Sequence, residues 1–222
     1  MKIIELKETI TASNDRDAQE LREEMRGGGT LLINLMASPG AGKTTLLERT
    51  IGALSASMKI GVLEADVDSS VDAVRVEKAG AAAIQVHTGG MCHMDAGMTR
   101  TGLEALGWDR FDLIFLENVG NLICPAEFDT GAGLKVMILS TPEGDDKPLK
   151  YPLMFRESDV LIISKIDAAP YFDFDFDRCV ERARKLNPGI RVIKLSAKTG
   201  EGVDEWIGYL KNAVASWKGK RA

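Results

Sequence analysis

Four groups of residues have types and spacings suited to chemistry, and each follows a short apolar run. The first is Ala37-Ser38-Pro39-Gly40-Ala41-Gly42-Lys43-Thr44, directly after Leu31-Leu32-Ile33-Asn34-Leu35-Met36. Gly40 and Gly42 let the backbone bend so that its N–H groups converge on phosphate oxygens, and the helix expected next adds its positive N-terminal end. Lys43 would then reach the β- and γ-phosphates and Thr44 would hold Mg²⁺, the arrangement of a P-loop. Ala37 stands in place of the usual first glycine, which matters only if that position needs a positive φ.

The second group is acidic. Glu64-Ala65-Asp66-Val67-Asp68-Ser69-Ser70-Val71-Asp72 follows the run 60–63. Asp66 is the residue expected in a Mg²⁺ shell or against the attacking water, because phosphoryl transfer is mostly positioning and charge neutralisation. Asp68 and Asp72 read more simply as a solvated turn capping the next helix. After the run 113–116, Glu117-Asn118-Val119-Gly120 places a carboxylate and a glycine around the point where a γ-phosphate-sensing amide is expected, and Gly120 would report hydrolysis by moving.

The third group reads a base. Ser164-Lys165-Ile166-Asp167 resembles the N-K-x-D motif of GTPases, with serine in the asparagine position. A carboxylate at Asp167 can accept from guanine N1–H and the 2-amino group together, and adenine offers no such pair of donors. Lys165 would lay its stem along the base. Ser196-Ala197-Lys198-Thr199-Gly200 matches the other guanine-contacting loop, where the Ala197 amide would meet the base oxygen. The two segments together favour GTP over ATP.

The fourth group is sulfur and imidazole. Cys92-His93 and Cys124 form a soft to borderline donor set that suits Zn²⁺ in a tetrahedron or Ni²⁺ in a flatter geometry. Asp95 is expected to support the imidazole from behind. Three donors leave such a site either open or completed across a dimer, and the plain alternative is packing, since free cysteine is among the most buried residue types. Cys179 has helical spacing with Ala183 and Leu186 and reads as core, while His87 reads as a strand end.

These groups need a scaffold that brings loop after loop to one edge. Apolar runs at 60–63, 82–86, 113–116, 135–139, 160–163 and 190–195 alternate with stretches of helical period such as Phe176, Val180, Ala183 and Leu186. That alternation predicts an α/β fold, a mostly parallel sheet with helices on both faces in three layers, whose ligands lie at the carboxyl ends of the strands. A helix is expected at residues 14–27, capped by Asn14, with Ala18, Leu21 and Met25 on one face and Gly27-Gly28-Gly29 ending it. Residues 1–222 read as a single domain in which 1–30 is an N-terminal extension whose helix packs on the core.

Composition narrows the classes of function. The 222 residues are 45% hydrophobic and 27% charged, and the formal charge of −5 argues against a nucleic-acid partner. No run approaches the roughly 18 apolar residues of a membrane span, and Met1-Lys2-Ile3-Ile4-Glu5 lacks the shape of a signal peptide, so a cytoplasmic location is expected. Three cysteines make no disulfide framework.

Three longer segments resemble the HypB family, the hydrogenase nickel-incorporation GTPases: the run from Leu35 to Leu47 around the P-loop, Cys92-His93-Met94-Asp95-Ala96, and Glu117-Asn118-Val119-Gly120-Asn121-Leu122-Ile123-Cys124-Pro125. The resemblance also takes in Pro170-Tyr171-Phe172-Asp173-Phe174-Asp175. It implies a GTPase that dimerises on binding GTP and shares a nickel or zinc site formed by Cys92, His93 and Cys124; slow turnover is expected because no Gln or Arg has a clear claim to position water or neutralise the transition state. The partners implied are a hydrogenase large-subunit precursor and a nickel-binding accessory protein. By the same analogy Lys43, Asp66, Glu117 and Gly120 serve catalysis, and Thr44, Asp66 and Glu117 surround Mg²⁺. Nucleotide contacts fall to Gly40, Ala41, Gly42, Lys43, Thr44 and Thr45 and to Ser164, Lys165, Asp167, Ser196, Ala197 and Lys198. A related accessory GTPase for urease or a cobalamin enzyme, or a passive nickel or zinc carrier, are the alternatives.

The chain departs from the family pattern in places. Residues 1–26 hold neither the cysteine motif nor the histidine-rich stretch of some members, so high-affinity nickel storage is expected to be absent. Ser164 removes the amide that ties the base loop to the P-loop, which predicts weaker guanine binding. Ser69 and Val74 stand where threonine and glutamate are usual.

Overall fold

The computed structural model describes residues 6–66 and 71–219, with side chains over 11–65 and 75–219. Asp68 and Ser69 lie outside the described residues, as do the side chains of Asp66, Asp72 and Val74.

Seven strands form one parallel sheet: β1 (Leu31–Ala37), β2 (Ile60–Asp66), β3 (Ala82–His87), β4 (Leu113–Glu117), β5 (Leu134–Ser140), β6 (Val160–Ser164) and β7 (Arg191–Lys194). Their order across the sheet is β3-β2-β4-β1-β5-β6-β7. Every neighbouring pair is parallel, with Leu35 of β1 opposite Glu117 of β4 and Val136 of β5. Each apolar run of the sequence became a strand, since parallel strands buried on both faces have little room for polar residues.

Alternate side chains feed opposite faces. Ile33, Leu35, Phe115, Val136 and Ile162 meet α2 (Lys43–Leu54), α3 (Val71–Lys78) and α9 (Val203–Gly219). On the other face Leu32, Leu63, Ile114 and Leu116 meet α1 (Leu6–Gly28) and α4 (Ala96–Leu106). Met137, Leu139, Leu161 and Ile163 pack there too, with Phe155 of α7 (Pro152–Glu157) and Cys179 of α8 (Phe176–Leu186). Short helices α5 (Cys124–Glu127) and α6 (Lys147–Lys150) sit in the connections. Cys179 is fully buried, as its spacing predicts, and burial pushes its thiol up to about 12.

Two tryptophans of α9 combine apolar burial with a satisfied indole. Trp206 Nε1 donates to Thr50 Oγ1 and Trp217 Nε1 to the Thr30 carbonyl, each at 2.9 Å. Truncating a buried tryptophan typically costs about 3–5 kcal/mol.

The first helix corrects the sequence reading. Among the described residues it already runs from Leu6, since 6–13 contain no breaker, and Asn14 is an interior residue, not a cap. Its buried side chain bridges two distant segments instead. Asn14 Nδ2 donates to the Asp129 carbonyl, and Oδ1 accepts from the Ala96 amide at the start of α4, both at 2.9 Å.

Candidate functional site

The P-loop joins β1 to α2. Gly40 has φ 73° and Gly42 φ 103°, values that L side chains rarely adopt. Ala37, by contrast, is the buried last residue of β1 and needs no positive φ, so its departure from glycine is harmless. Lys43 and Thr44 open α2 and, with Gly40, Gly42 and Thr45, line a cleft of 530 Å³ that extends to Glu64, Glu117 and Gly120. The helix N-terminus and the loop amides favour an anion in this cleft.

The Thr44 hydroxyl donates to Glu117 Oε1 at 3.0 Å, both residues being buried. A hydroxyl and a carboxylate so placed fit two positions in a Mg²⁺ shell, a hard ion that takes oxygen ligands. Asp66 ends β2 on the same edge, opposite His87 of β3, which closes that strand as expected.

Gly120 lies against the P-loop. A Cβ there would stand 3.0 Å from Pro39 Cγ and 3.1 Å from Pro39 N, so any larger residue would push the two loops apart. Arg75 of α3 also borders the cleft, its guanidinium donating to both oxygens of Glu48 at 3.0 and 2.7 Å. Sequence spacing gave no reason to single it out.

A second cavity, of 320 Å³, brings together Ser164, Lys165, Asp167, Ser196, Ala197 and Lys198, the residues expected to read a base, and shares Ala41, Gly42 and Thr45 with the P-loop. Ser164 does not lose the tie expected of asparagine: its hydroxyl donates to the Ala41 carbonyl at 2.8 Å. Lys165 is the only non-glycine residue with positive φ among the described residues, at 56°. Its Nζ donates to the Gly40 carbonyl at 2.7 Å and its own carbonyl accepts from Thr141 Oγ1 at 2.8 Å, contacts that hold a conformation costing roughly 1–2 kcal/mol. Arg49 of α2 donates to the Ala197 and Lys198 carbonyls at 2.8 and 3.0 Å, a clamp across 148 positions that no local spacing reveals.

The sulfur and imidazole groups converge. Donor atoms of Cys92, His93 and Cys124 all lie within 4.8 Å of one another, and Cys92 Sγ is 3.8 Å from His93 Nδ1. Two donors each about 2.0–2.3 Å from one ion lie no more than about 4.6 Å apart, so small side-chain rotations suffice. His93 stacks on Phe128 with ring centroids 3.9 Å apart and planes 12° apart, and its buried Nε2 has no hydrogen-bond partner among the described residues. Burial pushes the imidazole below its ordinary value, outweighing Asp95 and Glu127, and so favours the neutral form that binds metals. The hydrogen bond with Cys92, aided by burial, raises the Cys124 thiol to about 11.

Asp95 faces His93 closely enough to act on it electrostatically and is also a helix cap. Its Oδ1 accepts from the Met98 amide at 2.7 Å and caps α4. Two asparagines tie together the loops that carry Cys92, His93 and Cys124. Asn118 Oδ1 accepts from the Met94 and Val119 amides at 3.3 and 2.9 Å while Nδ2 donates to Asn34 Oδ1 at 3.1 Å. Asn121 Nδ2 donates to the Cys92 carbonyl, and its Oδ1 accepts from the Ile123 and Cys124 amides at 3.0 and 2.9 Å.

The family profile described as CobW/HypB/UreG, nucleotide-binding domain, matches residues 31–194, from the first residue of β1 to the last of β7. A hydrogenase maturation factor HypB of Azotobacter chroococcum is 44% identical over 95% of this chain and 69% of its own. The chain belongs to the HypB family. A crystal structure of HypB from Helicobacter pylori in complex with nickel superposes with a TM-score of 0.86 at 36% identity, covering 92% of this chain and 96% of that one. HypB of Archaeoglobus fulgidus gives 0.85 at 39% identity, covering 91% and 99%. HypB proteins are thus P-loop nucleotide-binding proteins of hydrogenase maturation, and the P-loop and the Cys92, His93, Cys124 cluster of this chain sit within the matched region.

Proposed function

We propose that the chain is a GTP-binding and GTP-hydrolysing metallochaperone that delivers nickel during [NiFe] hydrogenase maturation. GTP with Mg²⁺ joins two subunits across the nucleotide edge, and the metal cluster of each is completed there. Asp167 selects guanine, Lys43 neutralises the β- and γ-phosphates, and Thr44 with Glu117 and Asp66 surrounds Mg²⁺. The acceptor is a hydrogenase large-subunit precursor, and a nickel-binding accessory protein supplies or passes on the ion.

One observation carries this reading. Gly120, in contact with Pro39 of the P-loop, is only four residues before Cys124, whose thiol lies within 4.8 Å of the Cys92 and His93 donors. A γ-phosphate that displaces Gly120 therefore displaces a metal ligand, which gives the two sites a physical coupling. Two thiols and an imidazole accept either Ni²⁺ or Zn²⁺, with nickel as cargo. Turnover is slow on this reading, because the Arg75 guanidinium is engaged by Glu48 and no glutamine borders the cleft among the described residues.

The test is a Ni²⁺ and Zn²⁺ titration of the protein loaded with GDP or with a non-hydrolysable GTP analogue, with the molecular mass followed by light scattering. Tighter metal binding with the analogue, at a fixed ratio per dimer, is expected; equal affinity in both states would sink the coupling. A passive carrier would hydrolyse no GTP and lose nothing on Lys43→Ala. In cells, replacing Cys92 and Cys124 together should lower hydrogenase activity unless nickel is added, whereas an effect on urease alone would favour the other accessory GTPases.

A further inference from the structure

The two loops that carry the metal ligands come from different strands, and neither is rigid by its own sequence. The Cys92-His93 loop follows β3, Cys124 opens α5 after β4, and β2 lies between those strands. Cys92 is exposed and Cys124 half-buried, so apolar packing does not hold the two thiols together. The His93–Phe128 stack ties the first loop to the segment after Cys124, and a polar tie reaches Cys92 itself.

Asn121 makes the connection. Its carboxamide donates through Nδ2 to the Cys92 carbonyl and accepts through Oδ1 from the Cys124 and Ile123 amides. A carbonyl at one end and two N–H groups at the other require one donor and one acceptor on the same planar group. Asparagine supplies both. Aspartate would set an anionic oxygen against the Cys92 carbonyl, and glutamine would carry the amide one methylene too far. Asn121 also follows Gly120 directly, and its amide donates to the Val119 carbonyl at 2.9 Å. A residue that bonds both loops is thus the immediate neighbour of the glycine packed on the P-loop.

We infer that Asn121 is a positioning residue of the metal centre, the side chain that carries movement of the phosphate-facing loop to the backbone of Cys92 as well as of Cys124. Cys124 is linked to that loop by covalent bonds. Cys92 is 28 residues from Gly120 along the chain and has no such link. Asn118 gives the same loop a second hold, on the Met94 amide, but it is fully buried and fastened to β1 through Asn34, so it anchors where Asn121 transmits. The inference rests on reading Cys92, His93 and Cys124 as ligands.

The experiment compares full-length wild type with Asn121→Ala and Asn121→Ser. Serine can keep the turn over Cys124 through its hydroxyl but cannot also reach the Cys92 carbonyl. Ni²⁺ and Zn²⁺ affinities are measured against a chromophoric chelator with GDP and with the GTP analogue, alongside the nickel–thiolate charge-transfer band and GDP affinity. Both variants are expected to bind metal roughly tenfold more weakly or worse, the usual cost of losing a group that orients ligands. The difference between the two nucleotide states should shrink, the charge-transfer band should change, and GDP affinity should stay within about twofold of wild type.

Metal affinity, spectrum and nucleotide response all unchanged in both variants would overturn the inference. So would an equal loss of metal and GDP affinity, which would mark general damage to the loop. If wild type itself shows no nucleotide response, the coupling proposed above fails, and a selective loss of metal affinity in the variants still establishes the positioning role.

Discussion

The Ser164 hydroxyl donates to the Ala41 carbonyl at 2.8 Å, fastening the end of β6 to the phosphate loop. Together with Lys165 Nζ on the Gly40 carbonyl, it ties the segment Ser164–Asp167 to the P-loop. Ser164→Ala removes a buried hydrogen bond, worth about 1 kcal/mol. GDP affinity, followed by fluorescence of a labelled nucleotide, is expected to fall about fivefold, and Ser164→Asn should recover most of it.

Asp167→Asn tests the choice of base. On the proposed reading a carboxylate that accepts two guanine donors becomes an amide that can donate to the 2-oxo group of xanthine. Competition binding is expected to show a shift in preference from GTP towards xanthosine triphosphate of roughly a hundredfold or more, since a site built around buried polar pairs rejects the analogue that leaves one unpaired. Equal binding of ATP and GTP by wild type would remove the basis for this role.

Gly120→Ala adds a methyl group 3.0 Å from Pro39 Cγ. The contact lies at the surface of a cleft, so thermal stability should change by less than about 1 kcal/mol. Hydrolysis should drop about tenfold while GDP affinity holds. A variant with unchanged kcat would show that this close approach has no part in sensing the γ-phosphate.

Cys179 is a control with its own pH signature. Its thiol is raised to about 12 in the fold from an ordinary 9.0, so it stabilises the protein fully below about pH 9. Above that the unfolded chain loses the proton first, and stability declines as pH rises towards 12, by up to about 1.4 kcal/mol per unit. Cys179→Ala should lessen this alkaline decline in melting curves and leave metal stoichiometry intact, whereas Cys92→Ser with Cys124→Ser should abolish metal binding and lessen only the part below about pH 11, where the raised Cys124 thiol adds to it.

The strand order of elements and the P-loop were legible because each signal is local. Apolar runs mark buried parallel strands, and Gly40, Gly42 and Lys43 are adjacent in sequence. Asn14 misled for a related reason: its residue type favours caps, but here a long-range pair of hydrogen bonds outweighs that local preference. Arg49, Asn118 and Asn121 left no trace in spacing, since each bonds backbone groups far away. An asparagine on either side of Gly120, between a strand and Cys124-Pro125, was the one available hint, a pattern suited to side chains that bond nearby backbone.

The strand order β3-β2-β4-β1-β5-β6-β7 puts the ligand loops after β3 and β4 towards one end of the sheet edge and the base pocket after β6 and β7 at the other, with the P-loop after β1 between them. On the proposed reading, metal preference and nucleotide preference can therefore vary independently, since no residue of the Cys92, His93, Cys124 cluster lines the cavity that holds Asp167. Only the central strands, which serve both, are constrained by the two tasks at once.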